Sequence, residues 1–347
     1  MRRVTLKEVA NQLELSRITV SKVINGKPGV SLETQKRVIR KLLDSGYDKL
    51  TDEQIRLVEK PRDAGVKSVA VITIAPDFSE FWLNIINAVS RTLNREGYNF
   101  IYSILAKGDN NRYDLPKTIN REHVSGIIAI NVYDDLVIRS ILELGMPTVF
   151  LDTTPSMFRN SREGDLVLLD GSRSVFEITS HLADLGISSF GFMGDITYAQ
   201  TIRDRWTGFR DALNERKIFL NPQYCFTSSP RGHFYSKEEV VEHLKKLSSF
   251  PRAFVCANDF IAFMVIDYLK KRGLRVPQDI MVSGYDDIRE RITAESHLTT
   301  VHVDTEILGQ RLVRQILFRL AMPDMPREII YIRPEVIYRQ STETGPL

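Results

Sequence analysis

The chain has 347 residues, 43% hydrophobic, 26% charged and 9% aromatic, the make-up of a globular protein of two or three domains, which excludes a disordered or collagen-like chain. No run approaches the ~18 apolar residues of a membrane span, and Met1-Arg2-Arg3 leads straight into a polar helical pattern with no export signal, so a cytoplasmic setting away from membranes is expected. The net charge of +3 is unevenly spread: residues 1–47 hold ten Lys and Arg against four acids, +6, leaving −3 for the other 300 residues, as suits a head that meets a polyanion.

The head reads as three short helices. Thr5-Leu6-Lys7-Glu8 has the form of a capping box, and Leu6, Val9, Ala10 and Leu13 follow at helical spacing. After a break at Glu14-Leu15, Ser16 caps a second helix with Val20, Val23 and Ile24 inward, Arg17, Ile18, Ser21 and Lys22 outward, and Asn25-Gly26 as its stop. Ser31 begins a third, with Val38, Ile39, Leu42 and Leu43 in one stripe up to Gly46. Two short helices and a tight turn braced by a third make a helix-turn-helix. Its outer face sets an apolar Ile18 between Arg17 and Lys22, the pattern of base readout. Thr5, Ser16, Thr19, Ser21, Asn25, Ser31 and Thr34 surround it as short polar groups suited to phosphates.

Residues 48–67 read as a linker, with a short helix expected over 52–58 behind Thr51. From Ser68 onward, short β-branched apolar runs alternate with amphipathic stretches. The runs include Val69–Ile74, Phe100–Leu105, Ile127–Ile130, Thr148–Leu151, Leu166–Leu169, Phe190–Met193, Ala253–Cys256 and Ile280–Val282. Such uniformly apolar strands imply burial on both faces in parallel sheets, with helices such as 81–96, 172–185, 205–215 and 260–272 as crossovers. The fold class is α/β, and about eight units are too many for one small sheet, so two sheets facing across a cleft are expected.

Ligand residues are expected at the carboxyl edges of such sheets. Phe78, Phe81 and Trp82 follow the first body strand, and Asp152, Arg205, Asn258 and Asp286 each follow or flank a strand end. Acidic acceptors, a guanidinium, an amide and aromatic rings suit a polyhydroxylated ligand, whose hydroxyls both donate and accept. His233, Phe234 and Tyr235 offer a further ring wall. Catalysis finds no motif: the sequence has no Gly-x-Gly-x-x-Gly, no phosphate loop, no Gly-x-Ser-x-Gly elbow and no His-x-x-x-His pair. Cys225 and Cys256 make neither a disulfide framework nor a cysteine zinc site, and no metal or cofactor is expected. A solute receptor would share the body, but it would need an export signal and would have no use for the basic head.

The head strings Val4-Thr-Leu-Lys-Glu-Val-Ala10, Leu15-Ser-Arg-Ile-Thr-Val-Ser-Lys-Val-Ile-Asn-Gly26 and Val30-Ser-Leu-Glu-Thr-Gln-Lys-Arg-Val38 resemble the DNA-binding head of the lactose/galactose-repressor family of bacterial transcription regulators. In the body, Arg205-Trp-Thr-Gly-Phe-Arg-Asp-Ala-Leu213, Ala257-Asn-Asp-Phe-Ile-Ala262, Gly284-Tyr-Asp-Asp287 and Leu298-Thr-Thr-Val301 resemble it in the same order. The resemblance implies a helix-turn-helix head at 1–47 and a linker at 48–67. It further implies a periplasmic-binding-protein-like body, one subdomain spanning 68–164 plus 300–328 and the other 165–299 plus 329–347, with an effector cleft between them. It implies a homodimer on double-stranded operator DNA, with a small effector, a sugar or alternatively a purine or other non-sugar metabolite, held by the residues named above. Three features depart from the family pattern: Glu14 replaces the usual turn glycine, Lys22 the usual arginine, and the linker carries Asp48-Lys-Leu-Thr-Asp-Glu-Gln-Ile-Arg-Leu57 where the family has its Pro-Asn and Ala-Arg-x-Leu hinge.

Overall fold

The computed structural model describes residues 6–45, 47, 50–51, 54, 67–74, 79–107, 112–160, 164–229, 236–288 and 297–343. Thr5, Phe78, His233, Phe234 and Tyr235 lie outside the described residues, as does most of the expected 52–58 helix. The chain divides into two compact units, Met1–Val66 and Lys67–Leu347.

The first unit contains α1 (Leu6–Gln12), α2 (Arg17–Ile24) and α3 (Leu32–Asp44). Val9, Ala10, Val20, Val23, Val38, Ile39 and Leu42 are buried together, so each helix contributes its apolar stripe to one small core. The Ser16 side chain accepts from the Thr19 amide at 3.0 Å, and that of Ser31 from the Thr34 amide at 3.3 Å, supplying N-terminal caps for α2 and α3. In the turn between α1 and α2, Glu14 takes the left-handed φ of 56°, a conformation that costs a non-glycine residue about 1 kcal/mol.

The second unit begins with β1 (Ser68–Ile74), α4 (Glu80–Arg95), β2 (Asn99–Leu105), β3 (Gly126–Ile130), α5 (Asp135–Glu143), β4 (Thr148–Leu151), α6 (Pro155–Asn160) and β5 (Asp165–Leu169). There follow α7 (Gly171–Asp184), β6 (Phe190–Met193), α8 (Gln200–Glu215), α9 (Lys237–Lys245), β7 (Ala253–Cys256), α10 (Asp259–Lys271) and β8 (Met281–Ser283). The last elements are β9 (Thr300–His302), α11 (Thr305–Ala321), β10 (Ile329–Ile332) and β11 (Glu335–Ile337). One sheet has the order β10-β5-β4-β3-β1-β2, all parallel, and a second has β6-β7-β8, also parallel. β9 and β11 pair antiparallel, and bridges Ser283↔Thr299 and Asp286↔His302 join β9 to the end of β8.

Two sequence expectations change. Residues 165–169 and 329–332, placed by the sequence reading in the second subdomain, form β5 and β10 of the first sheet. A buried knot fixes them there: Arg319 of α11 donates from Nη2 and Nε to the two Asp165 oxygens at 2.7 and 3.0 Å, Gln315 donates to Asp165 at 2.9 Å, and the Glu328 amide to Asp165 at 3.0 Å. An apolar run shows that a strand is buried, not which sheet it joins. The strands are also not uniformly buried: β2 and β10, at the two edges of the first sheet, are exposed or half-buried at every position but Leu105, because an edge strand has a neighbour on one side only.

The chain passes between the two sheets at 169–171, 302–305 and 332–335, where β5 leads to α7, β9 to α11, and β10 to β11. Between these crossings the carboxyl ends of both sheets meet.

Candidate functional site

The mouth of this junction is a cavity of about 380 Å³. It is lined from the first sheet and its helices by Phe81, Trp82, Asn131, Tyr133 and Asp152, and from the second by Tyr198, Thr201, Arg205, Asn258, Phe263 and Asp286. Every described effector residue expected from the sequence (Phe81, Trp82, Asp152, Arg205, Asn258 and Asp286) reaches this one cavity.

Each is placed by a local rule. Phe81 and Trp82 lie in the first turn of α4, their rings edge to face with centroids 5.1 Å apart. Asp152 directly follows β4 and Asn131 directly follows β3, both with left-handed backbone, φ 65° and 56°. Asn258 caps α10, its Oδ1 accepting from the Ile261 amide at 2.9 Å. Arg205 does not open its helix as the sequence suggested: α8 begins at Gln200, five residues earlier, and Arg205 sits one turn further in. There it is 5% exposed, with its guanidinium 3.5 Å from the Tyr285 ring centroid and its Nη1 donating to the Ala257 carbonyl at 2.5 Å. Asp286 carries the unusual φ of 110°, and Asp287 beside it 54°. The pair is held from β9 and the C-terminal segment: the Asp286 amide donates to Val301 O at 3.0 Å, while Asp287 accepts from His302 Nδ1 at 2.9 Å and pairs with Arg339 at 2.7 Å. Backbone held in such regions by its surroundings is a frequent mark of ligand sites.

The two acids differ in what they have left to offer. Asp152 accepts from four donors: Thr153 N at 2.8 Å, Thr201 N at 3.3 Å, Thr201 Oγ1 at 2.6 Å and Tyr133 OH at 3.1 Å. Burial raises its carboxyl above the ordinary range, and these hydrogen bonds oppose the rise. Two of its partners belong to Thr201 on α8, so Asp152 ties the first sheet to the second. The Gln200 amide donating to Thr153 O at 2.8 Å and the Tyr133 and Tyr198 rings, 4.6 Å between centroids, reinforce that tie. The Asp286 carboxylate has a loose ion pair with Arg205 Nη2 at 3.8 Å. Burial pushes its carboxyl up to about 7, against the pull of Arg205. A carboxylate so placed gains most from new hydrogen-bond donors. Asp204, next to Arg205, is pushed up to about 6 by burial, with one oxygen bonded to Gln200 and the other buried without a partner.

Sequence reasoning missed Asn131, Tyr133, Tyr198, Thr201 and Phe263. Asn131 and Tyr133 follow the apolar run 127–130 as Asp152 follows 148–151, so the strand-end rule that found Asp152 would have found them. Thr201 and Tyr198 carry no comparable signal, since their place depends on where α8 starts.

In the head, Ile18 stands 70% exposed on the outer face of α2 between Arg17 and Lys22. Asn25 turns its amide back onto the Ser21 carbonyl at 2.7 Å, and Ser16 with Thr19 and Ser31 with Thr34 form hydroxyl pairs at 2.8 Å. In the free head these polar groups are engaged as caps. Among the described residues no cluster of His, Cys, Asp and Glu is arranged to hold a metal, and no helix is long and apolar enough to cross a membrane.

Comparison with known proteins gives a consistent picture. Residues 5–48 match the family model for bacterial regulatory proteins of the lacI family, and residues 179–342 that for a periplasmic binding protein-like domain. The chain is 28% identical over 344 residues, 98% of each chain, to the HTH-type transcriptional repressor PurR of Mannheimia succiniciproducens. It is 26% identical over 340 residues, 97% of this chain and 98% of the relative, to the ribose operon repressor of Haemophilus influenzae. Its fold is similar to that of the transcriptional regulator CelR in complex with cellobiose, with a TM-score of 0.69, 22% identity, and coverage of 98% of this chain and 100% of the other. A lac repressor dimer bound to operator and the anti-inducer ONPF gives a TM-score of 0.64 and 21% identity, with 99% and 100% covered.

Proposed function

Because this chain belongs to the lacI family of bacterial regulatory proteins and is a DNA-binding transcription regulator, we propose that it is a cytoplasmic homodimer that represses carbohydrate-use genes and answers a small sugar bound in the cavity of its body. The reading rests chiefly on the convergence of Phe81 and Trp82 from one sheet with Arg205, Asn258 and Asp286 from the other on a space of about 380 Å³. That volume lies at the small end of the ~300–1,000 Å³ of ligand pockets. Aromatic rings cover the apolar faces of a sugar, the under-satisfied Asp286 carboxylate takes its hydroxyl protons, and the Arg205 guanidinium donates to its oxygens. The cellobiose complex among the structural neighbours points the same way. The cytoplasmic setting follows from the partner, since operator DNA lies there.

In the head, Arg17, Ile18 and Lys22 read base edges. Ser16, Thr19, Asn25, Ser31 and Thr34 turn from their contacts at the helix ends to the phosphates, and Thr5 and Ser21 contact phosphates beside them. Lys22 supplies a single-point contact where arginine would supply a bidentate one.

A second reading, a purine or related flat heterocycle, is favoured by the relatives named PurR and by the Tyr133 and Tyr198 rings beside the cavity. A thermal-shift panel of pentoses, hexoses, disaccharides and nucleobases separates the two. A ligand at about 100 times its Kd adds roughly 2.7 kcal/mol of apparent stability. A shift with sugars and none with nucleobases supports the first reading; the reverse replaces it with the second.

A further inference from the structure

Gln54 lies ten residues beyond the end of α3, in the stretch the sequence assigns to a linker, yet it is only 9% exposed. Its side chain is engaged at both ends. Oε1 accepts from the Thr51 amide at 3.0 Å while the Gln54 amide donates to Thr51 Oγ1 at 3.3 Å, the reciprocal pair that starts a helix. Nε2 donates to the carbonyls of Val23 at 3.0 Å and Ile24 at 2.8 Å. Those are the last two residues of α2, where the helix supplies no further amides of its own; the Val23 carbonyl also accepts from the Gly26 amide at 3.2 Å just beyond it. Tyr47 and Leu50 pack against the head's core on the way, bringing the chain back to this point.

We propose that Gln54 is a positioning residue for operator recognition, tying the turn it closes with Thr51 to the aim of α2. The proposal rests on α2 being the helix that reads DNA. A free glutamine has three rotatable bonds. Held at Oε1 by the Thr51 amide, it points both of its amide protons at two neighbouring carbonyls. Donors at that end also complement the negative pole of the α2 dipole and hold its final turn, which carries Ser21 and Lys22 with Asn25 as its cap. Losing the Thr51 contact withdraws the carboxamide, leaves the Val23 carbonyl with the Gly26 amide alone and the Ile24 carbonyl to water, and lets the turn bearing Lys22 fray. Contacts with phosphates tolerate that loss of aim, whereas contacts with base edges do not.

The test uses the full chain, a duplex it selects from a random-sequence pool, and a scrambled duplex of equal length. Gln54→Met keeps the side chain's length without its polar atoms; Gln54→Glu keeps the acceptor for Thr51 and turns the donors into a charge facing carbonyls. Both are expected to lose about tenfold on the selected duplex, the scale of a lost pair of hydrogen bonds, with little change on the scrambled one and faster amide exchange at residues 25–27. Thr51→Ala, which leaves Gln54 in place, shifts the same readouts in the same direction and carries the test if Gln54→Met unfolds the head. Lys22→Ala is measured alongside. If it too keeps full discrimination, α2 does not read the duplex and the underlying assignment fails. If Lys22→Ala loses discrimination while the Gln54 and Thr51 variants retain it, or if the Gln54 variants lose equally on both duplexes, the positioning role is refuted.

Discussion

Replacing Asp286 with asparagine should make the ligand-free body more stable at pH 8 and less able to hold its ligand. Burial pushes this carboxyl from 3.8 up to about 7 in the folded protein, with Arg205, 3.8 Å away, too loosely paired to bring it back. A raised carboxyl pKa means that between about pH 4 and 7 the folded state holds a proton that the unfolded state has released. The contribution of Asp286 to stability is therefore fully present below pH 4 and is lost as pH rises to 7. Each pH unit in that window is worth about 1.4 kcal/mol. Asparagine has no such titration, so the stability of Asp286→Asn relative to the parent should grow by about 3 kcal/mol between pH 5 and pH 8. Asp204, pushed up to about 6 chiefly by burial, occurs in both proteins and cancels in the difference, whereas Asp259, pushed up to about 8 by burial and then by the neighbouring Asp286 charge, is relieved in the variant and adds to its gain. The assay is denaturant unfolding of both full-length proteins across that pH range. Parallel profiles would refute the argument, because they would mean that Asp286 is already solvated or already paired. With ligand present the order inverts: a hydroxyl donating to the carboxylate favours its charged form, so parent affinity should rise with pH towards 7, whereas that of the variant should not.

Three further outcomes follow from packing and from the head. Arg319→Met leaves Asp165 charged and fully buried beneath β5 and β10; burial raises that carboxyl, but its bonds to Arg319 and Gln315 outweigh the rise and keep it below the ordinary range. Loss of the partner should cost about 3–5 kcal/mol, and Asp165→Asn in the same chain should restore part of it in a denaturant titration. Gly208→Ala sets a methyl 1.9 Å from the Ser172 carbonyl, where α7 and α8 meet backbone to backbone. A loss of at least about 2 kcal/mol is expected on melting, and an unchanged melt would show that the two helices separate freely. Lys22→Ala should weaken the selected duplex more than random DNA in a binding titration, while Arg37→Ala should weaken both alike if Arg37 only neutralises phosphate.

Periodicity and chemistry at strand ends carried most of what the sequence revealed. The stripes of Val9 with Ala10, Val20 with Val23, and Val38 with Ile39 and Leu42 predicted three helices, and they form the buried core of the head. Asp152, Asn258 and Asp286 stood out because polar residues within a few positions after apolar β-branched runs fall at the carboxyl edge of a parallel sheet. What stayed hidden depends on distance in space. Nothing local in Asp165-Leu-Val-Leu-Leu169 says which sheet it joins; its knot with Gln315 and Arg319, 150 and 154 residues away, decides that. Arg205 was legible as a residue but not as the interior of a helix, because Ala199-Gln-Thr-Ile202 carries no strong N-terminal cap. The same early start of α8 brings Thr201 to Asp152 and leaves Asp286 as the acid with capacity to spare. Gln54 was invisible as a cap because its target carbonyls lie some thirty residues earlier.

The central claim, that a ligand between the two sheets governs the grip of the head on DNA, is tested most directly by one titration. The affinity of the full chain for its selected duplex is measured with and without the compound that raises its melting temperature, in the parent and in Arg205→Ala. A ligand shifts the DNA equilibrium only through its differential affinity for two states of the body. Removing the guanidinium should weaken ligand binding about ten- to hundredfold. The account predicts that the compound changes duplex affinity in the parent, that Arg205→Ala binds the duplex as tightly as the ligand-free parent, and that the variant no longer responds at the same concentration. A full response retained by Arg205→Ala, with a parent-like ligand isotherm, would contradict it.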